Sequence, residues 1–220
     1  MNINAAFTAY SSQKAKTLLS ACTLIAASLV SQSAFAEKEP IANYTIEVII
    51  FENHALKGWT EELWPNEIEL PSTEVAVDLA LHGKHPLWIE PQNKNLTDVT
   101  DRMRRDYKIL FHKAWSQNAM LPDETPMVLI ESQQSEYTNV TGTLKLYKTR
   151  FAHVQFDLEV EKRIPEKVRE AFANNQQISL EYLPTHWRFN LQESRKIKPG
   201  QLHYIDHPLF GILVQIKKNS

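Results

Sequence analysis

Alternation of apolar and polar positions is clearest over Phe151–Glu161. There Ala152, Val154, Phe156, Leu158 and Val160 interleave with His153, Gln155, Asp157, Glu159 and Glu161. A period of two predicts a strand with one buried and one wet face, as in an antiparallel sheet. Val140–Lys148 reads as its partner, joined near Thr149-Arg150. Tyr44–Phe51 (Y-T-I-E-V-I-I-F) is β-branched and aromatic, uncharged except at Glu47, and predicts a largely buried strand. Tyr107–Gln117 and Met127–Glu131 predict two more, the second entered through Pro122 and Pro126. His186–Ile197 and Leu202–Lys217 predict a hairpin around the turn Lys198-Pro199-Gly200-Gln201, with Pro208 bending the last strand.

Helical patterning is sparse. Asp98–Arg105 has Asp98 and Asp101 early and Arg104 and Arg105 late, the charge order that suits a helix dipole. Pro165–Ala173 places a proline in a first turn, and Ser72–Ala80 is a third short candidate. Pro65, Pro71, Pro86 and Pro91 interrupt the stretch from Glu52 to Asn95, each removing a backbone donor. The expected class is α+β: a mainly antiparallel β-sheet of six to eight strands with two or three short helices.

The first 36 residues have the three parts of an export signal. Lys14 and Lys16 lie in a leader without acidic residues. An apolar run, Thr17–Val30, follows, and Ala34-Phe35-Ala36 supplies a small-x-small cleavage site. The run has 14 residues, whereas a membrane span needs about 20, so the segment predicts a cleaved signal and no anchor afterwards. Leu19-Ser20-Ala21-Cys22 matches a lipobox, but only Thr17 and Leu18 separate it from Lys16, and most of the apolar run would follow the cut. Spacing argues against a lipoprotein. Residues 37–220 are expected to form a single periplasmic domain, since five glycines and no low-complexity tract leave little room for a linker.

Composition narrows the chemistry. The full chain has a net charge of −2, and removing Lys14 and Lys16 makes it −4, which is no footprint for nucleic acid. Cys22, the only cysteine, leaves with the signal, excluding disulfides, thiol nucleophiles and cysteine-ligated metals. No nucleophile elbow, phosphate loop, dinucleotide fingerprint or H-E-x-x-H occurs. His203 and His207 could chelate a metal on a helix, but four strand residues span about 13 Å. Zinc ligands each lie about 2 Å from the ion. His82 and His85 form a loop pair without a third ligand. No metal and no cofactor is expected. Trp59, Trp64 and Trp88 fall in the proline-rich stretch, either as stacking platforms or as closure for the end of a core. Trp187 alternates with Phe189 and Leu191 and reads as core.

Five blocks together resemble the CsiV family of periplasmic peptidoglycan-binding proteins. They are Tyr44–Glu52, Glu62–Pro65 (E-L-W-P), Arg105–Trp115 (R-D-Y-K-I-L-F-H-K-A-W), Gly142–Val154 and Leu202–Val214 (L-H-Y-I-D-H-P-L-F-G-I-L-V). The last is the most specific. The resemblance implies a non-enzymatic protein that binds the cell wall and supports its synthesis, beside a penicillin-binding synthase and its activators. It carries over Trp64, Pro65, His112, Trp115, His203, Asp206, His207 and Pro208. Of these, Trp64, His112, Trp115, His203, Asp206 and His207 are the expected ligand contacts. The Pro65–Asn95 segment is shorter than expected of relatives. A protein–protein adaptor is the alternative, favoured by the acidic net charge because peptidoglycan is itself anionic. A metal-assisted hydrolase is disfavoured by the strand spacing.

The cleavage pattern predicts that intact-mass measurement of the natively exported protein will find Glu37 as the N-terminus, without lipid. An acylated Cys22 at the N-terminus would overturn that assignment.

Overall fold

The computed structural model describes residues 41–81 and 86–219. The expected signal peptide with its cleavage site after Ala36, the Cys22 lipobox and the His82–His85 pair lie outside the described residues. Nine strands form two antiparallel sheets among those residues. The first is ordered β2-β3-β1-β9-β8: β2 (Leu87–Trp88), β3 (Lys108–Ala119), β1 (Ala42–Glu52), β9 (Phe210–Lys218) and β8 (Leu202–His207). The second is ordered β4-β5-β6-β7: β4 (Met127–Glu131), β5 (Thr138–Lys148), β6 (Ala152–Arg163) and β7 (His186–Ile197). The expected antiparallel character is present. The strand count exceeds the expected range by one, the two-residue β2, and the strands divide between two layers.

Pattern explains the layering. On β1, Ile46, Val48 and Ile50 join a cluster that includes Phe156, Leu158 and Val160 of β6, the main core between the sheets. The opposite phase, Ile49 and Phe51, joins Leu96, with Val99 and Met103 packed against it. These last residues bring helix α1 (Thr97–Met103) onto the outer face of β1. Both faces of β1 are therefore covered, which is why its sequence shows a run rather than an alternation. Helix α2 (Arg169–Gln176) follows a 3-10 turn at Glu166–Val168 and buries Phe172 and Ala173 at one end of the core.

Two expectations need correction. Ser72–Ala80 is not a helix. Val77 instead makes an isolated parallel bridge to Val128, its N–H bonding Met127 O at 2.7 Å and its carbonyl accepting from Leu129 N–H at 2.9 Å. Unpaired backbone groups on the β4 edge capture the segment in extended form. The second concerns the turn Lys198–Gln201, which is present, with Gly200 at φ +81°. It does not close a hairpin: β7 and β8 belong to different sheets. The Gly200 N–H bonds Ile216 O of β9 at 2.7 Å, so the turn carries the chain from one layer to the other. The hairpin is β8–β9, in which His207 faces Phe210 across Pro208-Leu209. Proline, which lacks an N–H and has a fixed φ, turns the chain rather than bending a continuous strand.

The residues after β1 dock on this hairpin tip. Asn53 N–H bonds Leu209 O at 3.0 Å, and the 3-10 turn Leu56–Trp59 brings Gly58 against Pro208. A Cβ at Gly58 would lie 2.5 Å from the Pro208 carbonyl oxygen, a backbone atom that cannot swing aside. Gly58→Ala is accordingly expected to destabilise by about 1–3 kcal/mol, read as a lower urea midpoint at unchanged m. An unaltered midpoint would show that the two segments are not held together.

Candidate functional site

At the exit of β1 the inward phase ends in a charge. Glu52 continues the series Ile46, Val48, Ile50, and Lys162 continues Val154, Phe156, Leu158, Val160 on β6. The two meet across the layers with Lys162 Nζ 2.8 Å from Glu52 Oε1. Lys162 Nζ also donates to Asn53 O at 3.2 Å, and Thr138 Oγ1 donates to Glu52 Oε2 at 2.8 Å. Burial raises the Glu52 carboxyl, but the Lys162 ammonium and the Thr138 hydroxyl outweigh it and hold the group below the usual glutamate range. For Lys162, burial dominates and lowers it, with Glu52 opposing.

This pair floors an open cleft of about 430 Å³ whose walls include Tyr137, Thr138, Arg163, Pro165 and Glu166. Tyr137 is 58% exposed. Two cations approach its ring, Lys108 Nζ at 5.8 Å and Arg163 at 5.8 Å from the centroid. Arg163 Nη1 also donates to Glu136 at 2.7 Å, a pair at the surface. An aromatic face, convergent donors and acceptors, and a volume typical of ligand pockets occur together here.

Beside the cleft lies an aromatic cluster. Trp59, 1% exposed, packs edge-on against Phe172 and Phe189. The Trp64 ring stacks on His207 at 5.3 Å and meets Phe189 edge-on at 5.0 Å. His207 also stacks on Phe210 at 4.1 Å, and its Nδ1 accepts from Leu209 N–H at 3.2 Å, so the ring proton sits on Nε2. Trp59 and Trp187 thus close the core.

Of the six expected contacts, only Trp64 and His207 are brought together. Trp115 is fully buried in the main core with its indole N–H donating to Gln117 Oε1 at 2.7 Å. A ligand-facing role does not fit it, because β3 turns that phase inward. His112 lies on the other face of β3, beneath α1. Its Nε2 donates to Glu47 Oε1 at 2.7 Å, and its Nδ1 faces Thr100 Oγ1 at 3.1 Å. The Glu47 carboxylate also accepts Asn95 N–H at 2.7 Å and Leu96 N–H at 2.9 Å, anchoring the start of α1. Burial raises Glu47, but these hydrogen bonds, that from His112 foremost, prevail and lower it. His112 is therefore a structural clamp. His203 Nε2 accepts from Lys198 N–H at 3.2 Å and ties the turn. Asp206 is exposed and accepts from the Tyr204 hydroxyl. Burial, with Asp206 adding to it, pushes Tyr204 up to about 12. His203 and His207 sit toward opposite ends of β8, and no group of three or more metal-binding side chains converges among the described residues.

A family model described as the peptidoglycan-binding protein CsiV matches residues 19–219. The chain belongs to the CsiV family. No curated protein and no solved structure matches it. Four of the five blocks that resemble the family fall on β1, β3, the β5–β6 pair and the β8–β9 hairpin of this CsiV fold, and the fifth, Glu62–Pro65, lies in the irregular segment after β1. They specify mostly the scaffold. Tyr137, Arg163, Lys162 and Glu52, which build the cleft, were missed as a site. The available signal was Lys162, a lysine at the inward phase of the clearest alternation in the chain.

In this CsiV chain His207 also links stability to pH. Burial, opposed by Asp206 and aided by Lys162, lowers it from 6.5 to about 4. With the folded value below the unfolded one, the unfolded chain binds the proton first as pH falls. Stability is full above about pH 6.5 and declines toward about pH 4. Going from about pH 7.5 to about pH 5 should cost about 2 kcal/mol. In His207→Phe, urea titrations at the two pH values should show most of this difference gone; an equal loss would exclude His207 as its source.

Proposed function

We propose that this protein is exported to the periplasm, loses residues 1–36, and binds peptidoglycan there without catalysis, in support of wall synthesis. The observation that carries the reading is the Tyr137 cleft. Its exposed ring, flanked by Lys108 and Arg163, suits a saccharide face with a carboxylate beside it. The surface pair Arg163–Glu136 is weak enough to exchange partners for a stem-peptide carboxylate. Modest affinity at one cleft suffices, since a polymer presents many sites and effective concentration multiplies weak contacts. A penicillin-binding synthase and its activators are the proposed protein partners.

The adaptor reading has one observation of its own. Leu63, Leu70, Val75 and Leu81 are each more than half exposed along one irregular segment, apolar area that a protein partner would cover.

Sacculus pull-down with the purified protein separates the readings. Tyr137→Ala should lose about tenfold in binding, while its melting temperature stays put because the side chain is exposed. No sedimentation of the unaltered protein with clean sacculi would sink direct wall binding and leave the adaptor. Full binding by the variant would remove the cleft from the site.

A further inference from the structure

The far end of the β5–β6 pair carries a second cleft, smaller and differently lined. It encloses about 230 Å³ between the β5–β6 turn and the turn that follows β7. Lys148, Arg150, Lys196 and Lys198 line it, with Phe151 and Tyr44, and no carboxylate does so among the described residues. Arg150, Lys196 and Lys198 are exposed and form no ion pair with a described residue. Phe151 is 43% exposed, with Lys196 Nζ 3.3 Å and Arg150 5.3 Å from its ring centroid. A ring between two cations holds them together by cation–π attraction, although like charges at such spacing repel.

Tyr44 is the independent observation. It is 4% exposed, yet it lines this cleft, and its hydroxyl makes no hydrogen bond to another described residue. Its ring is buried, but the hydroxyl oxygen is not an enclosed orphan: the O–H meets the open space of a cleft rimmed by cations, where water or a ligand accepts from it. Arg150, Lys196, Lys198 and the Tyr44 hydroxyl, with no carboxylate among the described lining residues, describe an oxyanion site. The charge count points further: one carboxylate would neutralise one cation, whereas a phosphate or diphosphate matches several at once.

We infer that this cleft binds a polyvalent phosphate group, of one or two phosphates, with Arg150, Lys196 and Lys198 at its rim and Tyr44 donating from its floor. The inference is independent of the Tyr137 cleft, which lies at the other end of the same strands. Its source is either a free phosphorylated molecule or a phosphate headgroup at a lipid surface, for which exposed Phe151 is suitably placed.

Titration of the purified protein with inorganic diphosphate at low ionic strength should give a Kd of about 1 mM or tighter, weakening as salt is added. Acetate at the same concentration should not compete. Lys196→Glu/Lys198→Glu should lower diphosphate affinity at least about tenfold and Tyr44→Phe should lower it less, both with sacculus binding retained. Co-sedimentation with anionic phospholipid vesicles but not with zwitterionic ones would assign the phosphate to a membrane. Diphosphate binding without vesicle binding would assign it to a soluble ligand. Failure to bind either probe, equal competition by acetate, or undiminished binding by the charge-reversed variant would overturn the proposal. Since the wall pull-down reads the other cleft, its failure and this one are told apart.

Discussion

Strand β1 has apolar side chains on both faces, and most of the architecture is the covering of those faces. Ile46, Val48 and Ile50 need the second sheet; Ile49 and Phe51 need something on the outside. What covers the outside is α1, seven residues long, too short to persist by its own hydrogen bonds. It is held from beneath by the one charge within the apolar part of β1. Glu47 accepts two backbone N–H groups at the start of α1 and a third donor from His112. A buried carboxylate with three donors is tolerable where an unpaired one would not be. Covering β1 thus also explains why His112, a histidine in a strand, lies under a helix.

The same logic operates at the end of the sandwich. Inward phases must stop where the layers part, and here they stop in opposite charges, Glu52 and Lys162. Their contact ties one sheet to the other where apolar packing runs out. Such pairs contribute little net stability but penalise misalignment, since separating them strands two buried charges. The consequence for binding is a cleft with a fixed floor. Thr138, hydrogen-bonded to Glu52, starts β5, and Tyr137 is its neighbour, so the exposed ring is mounted on a rigid junction.

Legibility in the sequence followed periodicity. The β6 alternation, the buried β1 run, α1 and the helix after Pro165 were all readable, because each depends on neighbours within a few residues. The division into two layers was not, because β7 and β8 look like hairpin arms until it is known that Gly200 bonds to β9. A turn signal reports that the chain turns, not which sheet receives it. Placement of the expected contacts is a matter of the fold. Trp64 and His207 come together, but through stacking across 143 positions of sequence that no motif encodes. Trp115 and His112 belong to a block that resembles the family, and that block encodes strand β3 and its packing. Tyr137 and Lys162 depend on where two sheets end, which only the fold decides.

Charge is segregated along the outer face of the second sheet. Asp157, Glu159 and Glu161 take successive outward positions in the second half of β6, and Arg188 bridges Glu159 and Glu161 at 3.2 and 3.3 Å. Burial, and after it the neighbouring Glu161 carboxylate, raise Glu159 despite that arginine. Arg163 and Lys108 stand at one end of the β5–β6 pair and Arg150, Lys196 and Lys198 at the other, about 36 Å apart along eleven strand residues, and each end sets an exposed aromatic among them. A net charge of −2 therefore does not describe what an approaching anion meets. Salt screens exposed charges beyond about 8 Å, so a ligand at either end senses the charges of that end, which at the Tyr137 cleft include Glu52, Glu136 and Glu166 as well as the cations. Overall acidity therefore does not by itself exclude contact with an anionic polymer.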